Sequence, residues 1–290
     1  MSDPIDDALA AAFALMGQGR MAQAEDALRA IENSGTLPGE KEGRLRYGLG
    51  LALHQQGKAA EAQKEFTRAS GLFAGTGGAA QALAMTAQAR AELDCGLKEQ
   101  SAATGRRALA LLRERMAGDD PRLAPSLFSL AMGEYECRHF TEAEALLRET
   151  LALWSAQRGT ESLEVSTCLN DLGRICEETG RLDEGISLHR SCLAIREKRL
   201  GTHPETAFSM GNLGTALASA GQWNEAAEML TRSLECYARC GRVSGDSIEG
   251  LRRNLEICTK ALSCGTHPAA AISPKRQQKN AGPAPGVFRS

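Results

Sequence analysis

The residues of this chain that could do covalent or metal chemistry are five histidines and nine cysteines, and neither set converges. Cys236 and Cys240 stand one helical turn apart and could hold a soft metal. A structural site would need a second pair at matching spacing, and the sequence contains none and no C-x-x-C. His54, His139, His189, His203 and His267 fall at unrelated places, with His203 and His267 each inside a Gly-Thr-His-Pro turn. No phosphate-binding loop, dinucleotide fingerprint or H-E-x-x-H motif is present. The sequence therefore reads as a non-enzymatic chain with no cofactor and no metal. Chemistry of a gentler kind is offered by Asn212, whose amide can donate to a peptide carbonyl and accept from a peptide N–H.

Bulk properties narrow the class of partner. Net charge is −2, but five of the 34 basic residues, from Lys260 to Arg289, lie beyond the last acid, Glu256. The body before it is more acidic than the total suggests, which argues against a broad phosphate-neutralising surface for nucleic acid. No apolar stretch reaches membrane-spanning length, the acidic start lacks the basic region of a signal peptide, and the scattered, odd cysteines suit a reducing compartment. A cytoplasmic protein without nucleic-acid or membrane partners is expected; the oligomeric state is left open.

The elements that position these residues come from a repeat. LNDLGRICEETGRLDEG, Leu169 to Gly185, is followed by MGNLGTALASAGQWNEA, Met210 to Ala226, and Gly173 to Gly214 is 41 residues, as is Gly180 to Gly221. Earlier copies carry an acid or amide before a small residue at Glu142-Ala143, Gln100-Ser101, Glu61-Ala62 and Gln23-Ala24. The turn residue ahead of each is Gly19, Gly57, Gly96, Gly180 and Gly221, with Arg138 as the exception. Low aromatic content (4%) with abundant Ala and Leu favours helix. Each unit therefore reads as a helical hairpin whose first helix ends at a residue tolerating positive φ. Small residues at Gly173, Gly214, Gly185 and Ala226 allow close approach, while Phe140, Leu182 and Trp223 plug the space between hairpins. Asp3 with Pro4 is a good helix start.

This pattern resembles the tetratricopeptide repeat (TPR), lengthened here from the usual 34 residues to about 38 to 42. With the stretches ALALLRERMAGDDPRLA and CLAIREKRLGTHPETA between hairpins, it is similar to the long repeats of kinesin light chains. The resemblance implies an all-α, right-handed superhelical solenoid of about six TPR hairpins, at roughly 5–36, 41–74, 79–116, 121–158, 163–200 and 204–241. A capping helix at 247–262 closes a solenoid spanning 1–262, and a Pro-rich, basic tail at 263–290 is expected to be disordered.

The resemblance also implies function: the first helices line a concave groove for a partner protein or peptide. By helical spacing the groove positions are Phe128, Ser129, Met132 and Tyr135 in the fourth hairpin, Asn170, Asp171, Arg174 and Glu177 in the fifth, and Phe208, Asn212, Thr215 and Ser219 in the sixth. Asn212 occupies the slot where many such repeats hold a ligand backbone. The slots of a carboxylate clamp hold Arg44, Gly48, Ala87, Ser129 and Asp171, so no clamp is assembled. Arg174 flanked by Asp171, Glu177 and Glu178 disfavours an acidic peptide. The leading reading is an adaptor gripping an extended segment. The alternative is a regulatory sensor whose solenoid encloses a small peptide or metabolite and changes curvature; an RNA module is a weaker third.

Overall fold

The computed structural model describes residues 3–75, 78–241 and 245–264. Among these residues thirteen α-helices and a short 3-10 turn occur, and no strand. They are α1 (Pro4–Gly17), α2 (Met21–Asn33), α3 (Gly39–Gln55), α4 (Ala59–Leu72), α5 (Ala80–Asp94), α6 (Lys98–Arg115) and α7 (Leu123–Glu136). Then follow α8 (Phe140–Arg158), α9 (Leu163–Glu178), α10 (Leu182–Leu200), α11 (Pro204–Ser219), α12 (Trp223–Cys240) and α13 (Gly245–Cys264). The chain forms two compact units, the first running to Glu149 and the second beginning at Thr150. The tail expected from 263 onward lies, past Cys264, outside the described residues.

The first helix of each hairpin ends in a left-handed residue. Gly19, Gly57, Gly96, Gly180 and Gly221 have φ between 75° and 80°, and Arg138, the one departure from glycine, still adopts φ 63°. The positive φ lets the following N–H groups turn back onto orphan carbonyls: Gly180 N donates to Glu177 O (3.1 Å) and Arg181 N to Cys176 O (2.8 Å). Arg138 repeats the geometry, with His139 N on Glu134 O at 2.9 Å, and its guanidinium lies 5.0 Å over the Phe140 ring. At the other end of the chain's first helix, Asp3 accepts from Ile5 N at 2.9 Å as the cap.

Close packing within a hairpin is a knob entering a notch. Four residues after each small residue of the second helix stands a knob: Leu28, Phe66, Leu147 and Leu230, each at most 1% exposed, and His189 at 0%. The notch is a residue without a side chain on a first helix. A Cβ at Gly50 would come within 2.5 Å of Phe66, at Gly173 within 2.8 Å of His189, and at Gly214 within 2.8 Å of Leu230. Burying one such knob is worth roughly 1.5–3 kcal/mol. In the third hairpin the knob position is Gly105.

Within the second unit, Trp223 is buried in one core with Leu213, Leu217, Leu230, Leu251 and Cys258, as expected for a plug. Cys168, Cys176, Cys192, Cys236 and Cys258 are all buried as small apolar residues. Burial pushes the thiols of Cys168 and Cys192 up, away from the reactive thiolate. Helix α13 packs on α12 and α11, and its outer side is charged. At a spacing of 42 residues, exposed Arg252, Arg253, Glu256 and Lys260 stand where α11 buries Met210, Gly211, Gly214 and Ala218. No further hairpin can stack on such a face without desolvating four polar side chains, so α13 is built as a cap.

Candidate peptide-binding face

In the second unit the first helices α9 and α11, with the cap α13, are joined by a polar ladder. Asn212 Nδ2 donates to Asn170 Oδ1 at 2.8 Å, crossing from α11 to α9. Asn254 Nδ2 donates to Thr215 Oγ1 at 3.1 Å, crossing from α13 to α11, while the Thr215 hydroxyl donates to Gly211 O at 2.9 Å. On α9 the chain of bonds continues from Asn170 Nδ2 to Asp171 Oδ1 (3.2 Å), which also receives Arg174 Nη1 (3.1 Å). The Asn-Leu pair at 212–213 recurs at 254–255, 42 residues on, so Asn254 is the same register position one repeat later.

This ladder gives each asparagine a fixed direction. One amide hydrogen of Asn212 and one of Asn254 is used within the protein, which locks the planar group and leaves its Oδ1 and second N–H for another partner. Ser219 is tied to its own helix, its hydroxyl donating to Thr215 O at 3.1 Å. Phe208 is half-buried against the core of the second unit and supplies apolar surface beside the amides.

Four of the residues expected on an open groove lie deeper than helical spacing implied. Asn170 is 4% exposed, Asp171 7%, and Phe128 and Tyr135 8% each. Asn170 and Asp171 serve as the inner rungs of the ladder. Tyr135, in the first unit, packs on Phe140 with ring centroids 5.6 Å apart, so it is a packed aromatic and no exposed contact. Met132 and Ser129 are half-buried on the same helix. Replacing Tyr135 therefore removes packing as well as surface.

Glu177 and Arg174 remain partly open to solvent, with side-chain exposures of 11% and 27%. Glu177 Oε1 is bound to Nε2 of the knob His189 at 2.6 Å, so a core histidine holds a carboxylate of the face. The other ring nitrogen, Nδ1, is buried without a hydrogen-bond partner. Sequence reasoning passed over His189 and Asn254. The signal for both was register: His189 stands where other hairpins carry Leu or Phe, and Asn254 repeats Asn212.

A second buried polar device sits where α9, α10 and α11 meet. Arg196, 5% exposed, donates from Nε to Ser166 Oγ (3.2 Å) and from Nη1 to Ser209 Oγ (2.9 Å) and Glu205 O (3.2 Å). A guanidinium so shared stitches three helices and presents nothing outward. Among the described residues no cluster of three metal-ligating side chains occurs, and no helix is long and apolar enough to cross a membrane.

Two tetratricopeptide-repeat family profiles match the sequence, one over residues 9–75 and the other over 122–198 and 176–239. The chain belongs to the tetratricopeptide repeat family. No curated protein matches it over its sequence. Among solved structures, this TPR protein is similar to a putative kinesin light chain of Podosopora anserina with nearly identical TPR-like repeats. Identity is 22% and the TM-score 0.61, covering 70% of this chain and 99% of that one. It is also similar to BtubC (BKLC) from P. vanneervenii, at 18% identity and TM-score 0.63, over 84% of this chain and 94% of that one. A Rap protein complexed with Competence and Sporulation Factor matches at 16% identity and TM-score 0.60, over 91% of this chain and 77% of that one. At these identities the likeness establishes the all-α TPR solenoid fold.

Proposed function

We propose that this protein is a non-enzymatic interaction scaffold that holds an extended segment of a partner protein against the first-helix face of its second unit. The observation that carries the reading is the asparagine ladder. Asn212 and Asn254, in equivalent register on α11 and α13, are each fixed by one internal hydrogen bond and keep one acceptor and one donor for a peptide backbone. A peptide unit needs that donor–acceptor pair whatever its side chain, so affinity comes from the backbone and selectivity from what stands beside it. Beside it stand the apolar ring of Phe208 and the charges of Arg174 and Glu177. A Rap protein of similar fold has been captured in complex with Competence and Sporulation Factor, which supports the reading by analogy. The charged outer side of α13 fits a scaffold that recruits partners by its first-helix face.

The test is a pull-down with the full chain and an Asn212→Ala/Asn254→Ala variant, followed by titration of the recovered segment. Loss of roughly 1–2 kcal/mol per asparagine, with the helical signal retained, supports the proposal. Equal recovery by the folded variant refutes it.

A further inference from the structure

One buried group of the second unit works against stability. Where α2, α4, α8 and α12 pack Leu28, Phe66, Leu147 and Leu230, α10 inserts the fully buried His189 over the notch at Gly173. Its Nδ1 has no hydrogen-bond partner, and an unsatisfied buried ring nitrogen carries a cost that a leucine in the same place would not. Packing therefore does not account for the histidine. Its other nitrogen does: a carboxylate only accepts, so Nε2 donates to Glu177 Oε1, at 2.6 Å.

The Glu177 side chain is held from a second direction as well. Its Cγ would lie 3.5 Å from a Cβ added at Gly185, so the stem runs close against α10. The imidazole and the glycine together fix the carboxylate, with 11% of the side chain open to solvent. A group ordered in advance loses little freedom when it binds. The surroundings set the sign of what it binds. On α9, Asp171, Glu177 and Glu178 stand against Arg174, which donates to Asp171 at 3.1 Å, and α11 adds the uncharged Asn212, Thr215 and Ser219. A net negative face favours a cationic partner and disfavours an acidic one.

We infer that Glu177 is the specificity-determining acceptor for a basic side chain of the bound segment, and that His189 is the residue that positions it. This rests on the reading of the asparagine face and adds the chemistry of its ligand: a peptide with a Lys or Arg close to the peptide unit held at Asn212. Glu177 lies seven residues along α9 from Asn170, about 10 Å, which places that Lys or Arg within about three residues of the held unit.

Peptides are selected from a random library on the full native chain, and each is remade with norleucine at its basic position, which removes the charge and keeps an apolar stem. Selected peptides should share a Lys or Arg at one position, and norleucine there should lower affinity for the native chain about tenfold. Glu177→Gln erases that difference. His189→Leu, which installs the knob of the other hairpins, melts no lower than the native chain yet loses most of the discrimination. His189→Gln, whose amide supplies a donor in place of Nε2, restores it. A knob that only packs would not separate stability from selectivity in this way. The inference is overturned if peptides that depend on Asn212 and Asn254 show no preference for a basic residue, or if His189→Leu melts well below the native chain. It is equally overturned if Glu177→Gln or His189→Leu discriminates lysine from norleucine as the native chain does. Peptides indifferent to the Asn212→Ala/Asn254→Ala exchange but still dependent on Glu177 would refute the asparagine reading and support the acceptor.

Discussion

Asn212→Ala is the substitution that separates a framework role from a binding role. The side chain is half-buried and its Nδ2 lies 2.8 Å from Oδ1 of Asn170, which is itself only 4% exposed. Removing the donor forfeits about 1 kcal/mol for the bond and leaves a buried carbonyl without it, a further cost that brings the total to roughly 1–3 kcal/mol. Alanine regains about 0.5 kcal/mol of helix propensity over asparagine. A net loss of about 1–2 kcal/mol is therefore expected from urea unfolding at neutral pH. The cycle with Asn170→Ala isolates the pair, and its coupling should be about 1 kcal/mol. Ser219→Ala, whose hydroxyl only returns to its own helix, is the control and should shift stability by less than about 0.5 kcal/mol. A coupling below about 0.3 kcal/mol would mean that Asn212 does not rest on Asn170, and that its amide is not fixed in advance for a ligand.

Other expectations follow from the turns and the charges. Gly221 has φ 75° and open space around its Cβ position, so Gly221→Val should cost more than about 1 kcal/mol through backbone strain alone; an unchanged melting curve would contradict this. Arg138, at φ 63°, carries the strain that the glycines avoid, and Arg138→Gly should stabilise by about 0.5–1 kcal/mol after the loss of its contact with Phe140, measured by the same unfolding assay. The Arg46 guanidinium, whose Nη1 lies 2.5 Å from Glu32, holds the Glu32 carboxyl below its ordinary value. A depressed carboxyl contributes stability that is present above its unfolded value and is lost as pH falls through the folded one, so Glu32→Gln should flatten the decline in stability below about pH 4.5. Identical acid titrations of the two proteins would remove Glu32 from that decline.

The hairpin turns were legible because φ > 0 restricts residue type so strongly that glycine repeats on schedule, and even the exception at Arg138 marked the right place. The notch glycines Gly173 and Gly214 were legible for a similar reason, since close approach of two helices excludes a side chain. Depth was harder to read. Helical spacing puts Asn170, Asp171 and Tyr135 on one side of their helices, but it does not tell a side chain facing solvent from one facing the neighbouring hairpin, and 41- or 42-residue spacings shift that by a fraction of a turn. The ladder from Asn170 to Asn254 depends on contacts between helices 42 residues apart, which no pattern within one helix encodes. Gly105 and His189 were open to view in the register of the knobs, and both become informative only when the other hairpins supply what they replace.

The most direct measurement selects an extended peptide from a random library against the full chain and maps it by NMR on protein labelled at backbone and asparagine amides. The proposal predicts that the largest shifts fall on the side-chain amides of Asn212 and Asn254, on the backbone around Arg174 and Phe208, and that they vanish in the Asn212→Ala/Asn254→Ala variant. Shifts confined to α10 and α12, with the two asparagine amides unmoved at saturation, would contradict it.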